Sequence, residues 1–262
     1  MAMDHRGTTV LITGASSGLG AQFAHRLAAR GADLILVARR AERLAELAET
    51  IRTQAGVAVA VYADDLAVPR AGRRLAERIE ADGLRVDTLV NNAGMGTHGT
   101  FATQDPDAVA AEVQLNVAGV VDLTRALLPQ MLSSGRGALV NIASTSAYQP
   151  TPDMAVYGAG KAFVLSFTEA IAYETRRSSL KVLAVSPGPM RTEFFDKLGT
   201  TRPGVGHWQT ADDVAEFTIR TLDRRHTPAS VISGALNAVP IAAARFAPRP
   251  LVLALTGRAV GA

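Results

Sequence analysis

Short apolar segments alternate with longer amphipathic segments along most of the chain. The apolar segments are rich in β-branched residues and predict seven strands, at 8–14, 33–38, 57–63, 86–94 with its turn, 137–144, 181–188 and 229–234. Between them, apolar residues recur at helical spacing and predict helices at 19–32, 41–56, 69–83, 105–133, 155–178 and 210–225. Thr210 is expected to cap the last helix, with Asp213 in the capping-box position.

This alternation predicts the architecture. Strands separated by helices of about 12 residues form right-handed crossovers, and these build a doubly wound parallel sheet with helices on both faces. No repeat or low-complexity linker divides the chain, so we predict one α/β domain over 1–262. Two segments are expected to be irregular: a Pro-, Gly- and Thr-rich stretch at 187–209, and an apolar C-terminal tail at 238–262 that Pro240, Pro248 and Pro250 interrupt.

Composition narrows the chemistry. The absence of cysteine excludes disulfides, iron–sulfur clusters, thiolate zinc sites and a cysteine nucleophile, and we predict no metal site. The net charge is +3 and no lysine/arginine block is present, so nucleic acid is not an expected partner. The sequence has no apolar run that is long enough and free enough of charge and proline to predict a membrane-spanning helix. Its first ten residues lack the features of a signal peptide. We therefore expect a cytoplasmic protein.

A glycine-rich loop follows the first predicted strand and opens the first helix, in the stretch "TGASSGLG" at 13–20. Gly14 permits a tight turn, Gly18 lets a diphosphate approach the backbone, and Gly20 lets the helix pack close to the strand. The N–H groups at the helix start attract phosphates. The loop's other candidate cofactor residues are Ser16, Ser17 and Leu19.

Four more motifs follow in order. They are "ADDL" (63–66) after the third strand, "NNAG" (91–94) after the fourth, "YGAGK" (157–161) on a helix, and "PGPMRT" (187–192) after the sixth strand. Together with the Gly-x₃-Gly-x-Gly spacing, they make residues 8–235 resemble the short-chain dehydrogenase/reductase family in its single-domain branch. The resemblance implies a Rossmann-like fold that binds NAD or NADP.

Two arginines end the second strand, where the fold brings the adenosine ribose. An acid at this place would bond the ribose hydroxyls of NAD, whereas a guanidinium binds a 2′-phosphate. Arg39 and Arg40 therefore predict NADP(H). Arg39 is the first choice for the phosphate contact, Arg40 either assists or faces solvent, and Ser16 is a second donor.

The resemblance implies the remaining cofactor contacts. Asp65, with Asp64 as the alternative, and Leu66 are expected at the adenine, although either acid can instead cap the following turn. Residues of the later motifs are expected to pack on the cofactor, shape the turn over the nicotinamide, or bond its carboxamide: Asn92, Ala93, Gly94, Pro187, Gly188, Met190 and Thr192.

The resemblance also implies a catalytic set of Asn116, Ser144, Tyr157 and Lys161. Tyr157 and Lys161 lie four residues apart on one helix face. Tyr157 is expected to exchange the proton of the reacting oxygen, and Ser144 to hold the substrate oxygen. Lys161, together with an oxidised nicotinamide, is expected to lower the Tyr157 pKa, and Lys161 is also expected to bond the nicotinamide ribose. Asn116 is expected to hold a water that links Lys161 to solvent. Ser146 is a rival to Ser144, but the 13-residue spacing to Tyr157 favours Ser144.

The predicted function is NADP(H)-dependent interconversion of a ketone or aldehyde and an alcohol. Phe194, Phe195, Leu198 and Trp208 in the predicted substrate lid (189–209) favour a hydrophobic substrate. The alternative is a non-catalytic NADP-binding sensor of the same fold. The resemblance implies a homodimer or homotetramer paired through 105–133 and 155–178, and the tail either covers the pocket or a neighbouring subunit, or lies on a membrane surface.

Overall fold

A computed structural model describes residues 3–198, 206–244 and 246–260. Its centre is a seven-stranded, fully parallel sheet in the order β3-β2-β1-β4-β5-β6-β7. This confirms the predicted fold class. The strands are β1 (Thr9–Thr13), β2 (Asp33–Ala38), β3 (Val59–Ala63), β4 (Thr88–Asn91), β5 (Ala138–Ile142), β6 (Lys181–Ser186) and β7 (Ser230–Ile232).

Helices cover both faces of this sheet. They are α1 (Gly18–Ala28), α2 (Ala41–Ala55), α3 (Ala71–Ala81), α4 (Pro106–Val113), α5 (Gly119–Ser134), α6 (Ala155–Glu174), α7 (Glu193–Leu198), α8 (Ala211–Leu222), α9 (Ala235–Ala244) and α10 (Arg249–Val260). The predicted capping box is present at the start of α8, where the Thr210 hydroxyl accepts from the Asp213 N–H and the Asp213 carboxylate accepts from Thr210. None of the described helices is long and apolar enough to cross a membrane.

The core forms two layers because successive strand residues point to opposite faces. Val10 and Ile12 of β1 pack with α1, α2 and α8, whereas Leu11 packs with α3, α5 and α6. The central strands are buried on both sides, which explains their continuous apolar sequence. This rigid sheet fixes the loops at its carboxyl edge, where the site lies.

Three helix predictions need correction. The helix predicted over 105–133 is interrupted by a π-turn at Gln114–Ala118. Helix α3 starts at Ala71 because the preceding Arg70 has φ of +59°. The tail predicted as irregular is helical: Pro248 and Pro250 lie at the start of α10, where a missing N–H is tolerated, and Pro240 lies within α9.

Part of the predicted lid is helical too, because α7 covers 193–198. Residues 199–205 of the lid, and Arg245, Gly261 and Ala262 of the tail, lie outside the described residues.

Candidate active site

A cleft of about 440 Å³ opens at the carboxyl edge of the sheet. Every predicted cofactor residue lines it except Gly20, which packs behind the loop. Ser144, Tyr157 and Lys161 line the same cleft. Asn116 does not, and it lies instead in the wall of a second cavity behind the catalytic residues. The chain therefore brings the predicted nucleotide and catalytic residues to one place.

The phosphate loop is held by the end of β4. The Thr13 hydroxyl accepts from the N–H groups of Asn92 (3.0 Å) and Ala93 (2.9 Å), and the Asn92 side chain donates to the Thr13 carbonyl (2.9 Å). Gly14 has φ of +66°, and a side-chain carbon at Gly20 would lie 2.3 Å from the Gly14 carbonyl oxygen. The loop thus fits a diphosphate because its glycines keep the backbone open. The role of Thr13 was not predicted, although it begins the motif.

Arg40 is the arginine that contacts the phosphate loop. Its guanidinium donates to the hydroxyls of Ser16 (3.1 Å) and Ser17 (2.8 Å) and to the carboxylate of Glu193 (2.8 Å). Arg43 also binds Glu193, and the Arg43 and Arg40 guanidiniums lower the Glu193 pKa to about 2. At this end of the cleft two guanidinium groups, those of Arg40 and Arg43, are therefore bound to one carboxylate from α7.

Arg39 lies farther out. Its side chain is 66% exposed and its guanidinium is 4.0 Å from the Asp65 carboxylate. Both arginines line the cleft. The sequence made Arg39 the first choice for the phosphate contact and Arg40 the second. In the structure Arg40 is the one that is hydrogen-bonded to the phosphate loop, while the Arg39 side chain is largely exposed.

The two acids after β3 already have partners. Asp65 accepts from the Ala67 N–H at 2.9 Å, as a turn cap does, and Asp64 accepts from Arg78 at 2.7 Å. Both line the cleft beside Leu66. An Asp65 contact to adenine stays a prediction, and the turn-capping role is the one visible in the structure.

Helix α6 and the end of β5 bring the predicted catalytic residues Tyr157, Lys161 and Ser144 together. Lys161 is buried, and its ammonium donates to the Ile142 carbonyl at 2.7 Å. The same ammonium lies 5.8 Å from the centre of the Tyr157 ring. The Ser144 hydroxyl accepts from the Ser146 N–H at 3.1 Å, so Ser146 helps to orient it. Ser144 is also hydrogen-bonded to Tyr157. Tyr157, Ser144 and Lys161 therefore form one cluster.

Burial moves both pKa values in this cluster. It raises the pKa of Tyr157 to about 12, against the lowering effect of the Ser144 hydrogen bond. It lowers the pKa of Lys161 to about 8. The lowered Tyr157 pKa expected from the sequence is not a property of the protein alone. At neutral pH the tyrosine is protonated and the lysine charged, which suits proton donation.

Asn116 sits in the π-turn, whose wider turn directs its side chain back to the loop after β4. The amide accepts from the Met95 N–H (3.1 Å) and donates to the Met95 carbonyl (2.7 Å). A side-chain carbon at Gly94 would lie 3.3 Å from the Asn116 Oδ1 and 3.5 Å from the Lys161 Nζ. Gly94 therefore allows Asn116 and Lys161 to face each other closely. π-Turns are frequent at functional sites.

Beside Tyr157 the cleft is lined by aromatic side chains, by polar side chains such as Gln149 and Thr151, and by one residue of the tail. The Phe194 ring lies 5.3 Å from the Tyr157 ring, and the Phe195 ring lies 5.1 Å from that of Trp208. Thr256 of α10 also lines the cleft. This contact was not identified from the sequence, because nothing in an apolar tail indicates which single residue reaches the site.

Asn237 of α9 is a second residue that the sequence did not reveal. Its side-chain amide accepts from the His207 N–H at 2.6 Å and donates to the His207 carbonyl at 3.2 Å. The amide also packs over Gly188, where an added side-chain carbon would lie 2.4 Å from the Asn237 nitrogen. It thereby ties the lid to the Pro187–Gly188 turn. In the sequence, the one sign of this role is that Asn237 is a single polar residue within an otherwise apolar segment.

Comparisons with known proteins agree with this geometry. The family model for short chain dehydrogenase matches residues 8–203. Sulfoacetaldehyde reductase 2 of Chromohalobacter salexigens is 40% identical over 188 residues, which are 71% of this chain and 73% of the relative.

Two solved structures extend the similarity to most of the chain. A short-chain dehydrogenase from Sphingobium yanoikuyae in complex with NADPH is 37% identical, covers 91% of this chain and 93% of its own, and superposes with a TM-score of 0.80. The bulky-bulky ketone specific alcohol dehydrogenase from Comamonas testosteroni is 31% identical, with 91% and 92% coverage and a TM-score of 0.76. The chain therefore belongs to the short-chain dehydrogenase/reductase family, and it is an oxidoreductase of the NAD(P)-dependent carbonyl/alcohol class.

Proposed function

We propose that this protein is an NADP(H)-dependent reductase that interconverts a bulky apolar ketone or aldehyde and its alcohol. The observation that carries the proposal is the cluster of Tyr157, Ser144 and Lys161, which lines one cleft with the glycine-rich phosphate loop. A sensor needs no such proton-transfer group, so its presence favours catalysis.

Charge at the nucleotide end supports NADP(H). Arg40 is fixed beside Ser16 and Ser17, and Arg39 stands next to it on the cleft wall. Guanidinium groups bind a phosphate with two parallel hydrogen bonds, whereas they have no anionic partner on the ribose of NAD. The Sphingobium relative was solved with NADPH, which is consistent with this proposal.

In the proposed mechanism, the protein supplies the proton and the electrostatics, and the reduced nicotinamide supplies the hydride. Tyr157, protonated because burial raises its pKa, donates its hydroxyl proton to the substrate oxygen. Ser144 donates a hydrogen bond to the same oxygen, where negative charge develops. The Lys161 ammonium stabilises the phenolate that remains.

In the reverse direction Tyr157 must act as a base. Burial raises its pKa to about 12 in the protein alone, so the phenolate is disfavoured at neutral pH. Lys161 and a positively charged oxidised nicotinamide both favour the phenolate. We therefore propose carbonyl reduction as the easier direction at neutral pH. Asn116, which faces Lys161 across Gly94, is proposed to hold the water that links Lys161 to solvent.

The cleft walls support a bulky apolar substrate. Among the described lining residues the cations are Arg39, Arg40 and Lys161, which are assigned to the cofactor and to catalysis. The substrate end presents Phe194, with Phe195 and Trp208 packed behind it. Among the described lining residues, a sulfonate, as on the substrate named for the Chromohalobacter relative, finds no further cation there. The apolar walls resemble instead the preference stated for the Comamonas relative.

We propose further that the protein works in the cytoplasm as a homodimer or homotetramer. Exposed apolar side chains on the segments predicted to pair, Val113, Phe163 and Tyr173, support this assembly. The tail is proposed to cover the pocket, since Thr256 lines the cleft.

The direct test mixes the protein with NADPH and a panel of bulky and small ketones and follows the absorbance of the reduced nicotinamide. We expect turnover on bulky apolar ketones and a loss of at least about 100-fold in Tyr157→Phe, which cannot donate the proton. The NADPH dissociation constant of this variant should change little. Tight NADPH binding without turnover on any ketone, and no difference between the parent and Tyr157→Phe, would instead identify a sensor.

A further inference from the structure

Glu112 is a buried carboxyl group to which the proposed mechanism gives no role. It lies in the last turn of α4 and its side chain is fully buried. The main-chain N–H and the hydroxyl of Thr97 donate to its Oε2 at 2.8 and 2.7 Å. Its other oxygen, Oε1, is buried and has no hydrogen-bond partner among the described residues. Buried polar atoms are normally paired, so an unpaired carboxyl oxygen indicates a functional group rather than a packing group.

Glu112 shares its electrostatic environment with the two titratable catalytic residues. Its carboxylate favours the charged form of Lys161 and disfavours the phenolate of Tyr157. Burial raises the pKa of Glu112, while Lys161 opposes that rise. Since burial also lowers the pKa of Lys161 to about 8, the two pKa values move toward each other. The free-energy cost of moving a proton between the two groups falls as their pKa values approach each other.

Glu112 lines a second cavity, of about 480 Å³, which lies between residues of α4 and α6. Glu112 and Asn116 are its polar walls, and apolar side chains such as Val113 and Phe163 form most of the rest. Among its described lining residues Glu112 is the one that titrates. The groups that face Glu112 are thus Thr97 from the loop, Asn116 from the π-turn, and Lys161 and Tyr157 from α6.

We infer that Glu112 is a positioning and proton-relay residue, which acts through Lys161 and restores the proton that Tyr157 loses in each reduction. The inference rests on the proposed function and extends the relay beyond Asn116. This role explains why position 112 holds an acid with one unpaired oxygen near the catalytic lysine. An apolar residue at the same position would be enough for packing.

The proton steps balance. In reduction, the Tyr157 O–H bond breaks and its proton goes to the substrate oxygen. The phenolate then takes a proton from the Lys161 ammonium. The resulting amine takes one from Glu112 through the water proposed beside Asn116, and the Glu112 carboxylate takes one from solvent through the second cavity. One solvent proton is consumed for each carbonyl reduced, and alcohol oxidation reverses every step.

The test variant is Glu112→Gln, which keeps the shape and can still accept from Thr97 but cannot exchange a proton. We expect kcat for reduction to fall about 10-fold while KM and the NADPH dissociation constant stay within about twofold, because only proton delivery is affected. The solvent isotope effect on kcat should rise, because proton delivery becomes slower than hydride transfer. The matched control is Asp107→Asn, which removes an exposed carboxylate from the same helix and should leave kcat unchanged.

A second readout needs no turnover. The pKa of Tyr157 is measured by following the ultraviolet absorbance of its phenolate as the pH rises. The absorbance of the corresponding Tyr157→Phe variant is subtracted, both for the parent and for Glu112→Gln, to remove the contribution of the other tyrosines. The midpoint of the Tyr157 titration should fall in Glu112→Gln, because a carboxylate that disfavours the phenolate is gone. In Glu112→Ala, added formate should restore part of the lost kcat. All measurements are made at one oligomeric state. The relay requires the second cavity to stay in contact with solvent in that state, although its residues Val113 and Phe163 lie on the helices proposed to pair two copies.

The inference fails if Glu112→Gln keeps its kcat, its pH profile and its solvent isotope effect within about twofold of the parent. It also fails if kcat falls only together with the melting temperature and formate restores nothing, since Glu112 would then merely support the loop at Thr97. Failure of the proposed function is distinct: the parent itself would show no turnover, while the Tyr157 titration would still report on Glu112.

Discussion

At the scale of single residues, the sign and position of a few charges define the site. A pair of arginines at the end of β2 indicated a phosphate from the sequence alone, but their order could not be predicted. Successive residues leaving a strand point in different directions, and the backbone turn into α2 decides which one reaches the loop. In the structure Arg40 reaches Ser16 and Ser17, while Arg39 stays largely exposed.

The cofactor assignment leads to a prediction for the two arginines. Arg40→Asp should weaken NADPH binding by about 100-fold or more, because it removes a phosphate partner and adds a like charge. NADH binding should change by less than about threefold, since NADH lacks the 2′-phosphate. Arg39→Asp should act in the same direction with a smaller effect. Fluorescence titration of each variant with both cofactors measures this.

Two results of that titration would contradict the assignment. Equal losses for NADPH and NADH would mean that the arginines only hold the loop in shape. A larger effect of Arg39→Asp than of Arg40→Asp would restore the order expected from the sequence. Arg52→Asp, at an exposed position on α2 away from the cleft, is the charge control.

At the scale of elements, close approach between β1, α1 and β4 builds the phosphate site. Gly20 allows α1 to start directly against the Gly14 carbonyl, and Asn92 from the β4 end ties the same loop down. The π-turn does comparable work at the other end of the cleft, where it brings Asn116 back to Met95. Each of these contacts involves the main chain at close approach, so a single added methyl group is enough to disturb them.

Gly20→Ala tests this packing. Its new carbon would lie 2.3 Å from the Gly14 oxygen, so α1 must move away from the loop. We expect a loss of about 1–3 kcal/mol in unfolding free energy and a weaker affinity for NADPH and NADH alike. Chemical denaturation and cofactor titration measure both. Gly257→Ala in α10, where the nearest atom is 3.8 Å away, is the matched control and should be neutral. Unchanged affinity in Gly20→Ala would show that the loop does not depend on this contact.

At the scale of the whole molecule, the parallel sheet and the order of the motifs were predictable, because strand and helix periods are local properties of the sequence. The cluster of Ser144, Tyr157 and Lys161 followed from spacing and resemblance for the same reason. What could not be predicted depends on distant contacts. Asn237 meets Gly188 across nearly fifty residues, and the role proposed for Glu112 depends on its burial within the electrostatic influence of Lys161. The helical tail was missed because its prolines fall where α10 begins.

The tail offers the last prediction. Helix α10 reaches the cleft through Thr256, whereas its leucines Leu251, Leu253 and Leu255 remain about half exposed. A chain ending at Ala247 should therefore keep the sheet and its melting temperature to within a few degrees, because little core is lost. It should also keep its NADPH affinity, since the phosphate loop and the arginines lie elsewhere on the cleft.

Substrate binding should change selectively in this truncated chain. We expect KM for a bulky apolar ketone to rise about 10-fold, since the part of the cleft wall at Thr256 is removed, and KM for a small aldehyde to change by less than about twofold. Steady-state kinetics on the two substrates measures the difference. Equal changes for both substrates, or a loss of NADPH binding, would mean that α10 supports the fold rather than the substrate pocket. The size-selective result would establish that the C-terminal tail forms part of the specificity site, because only a substrate large enough to reach Thr256 would detect its removal.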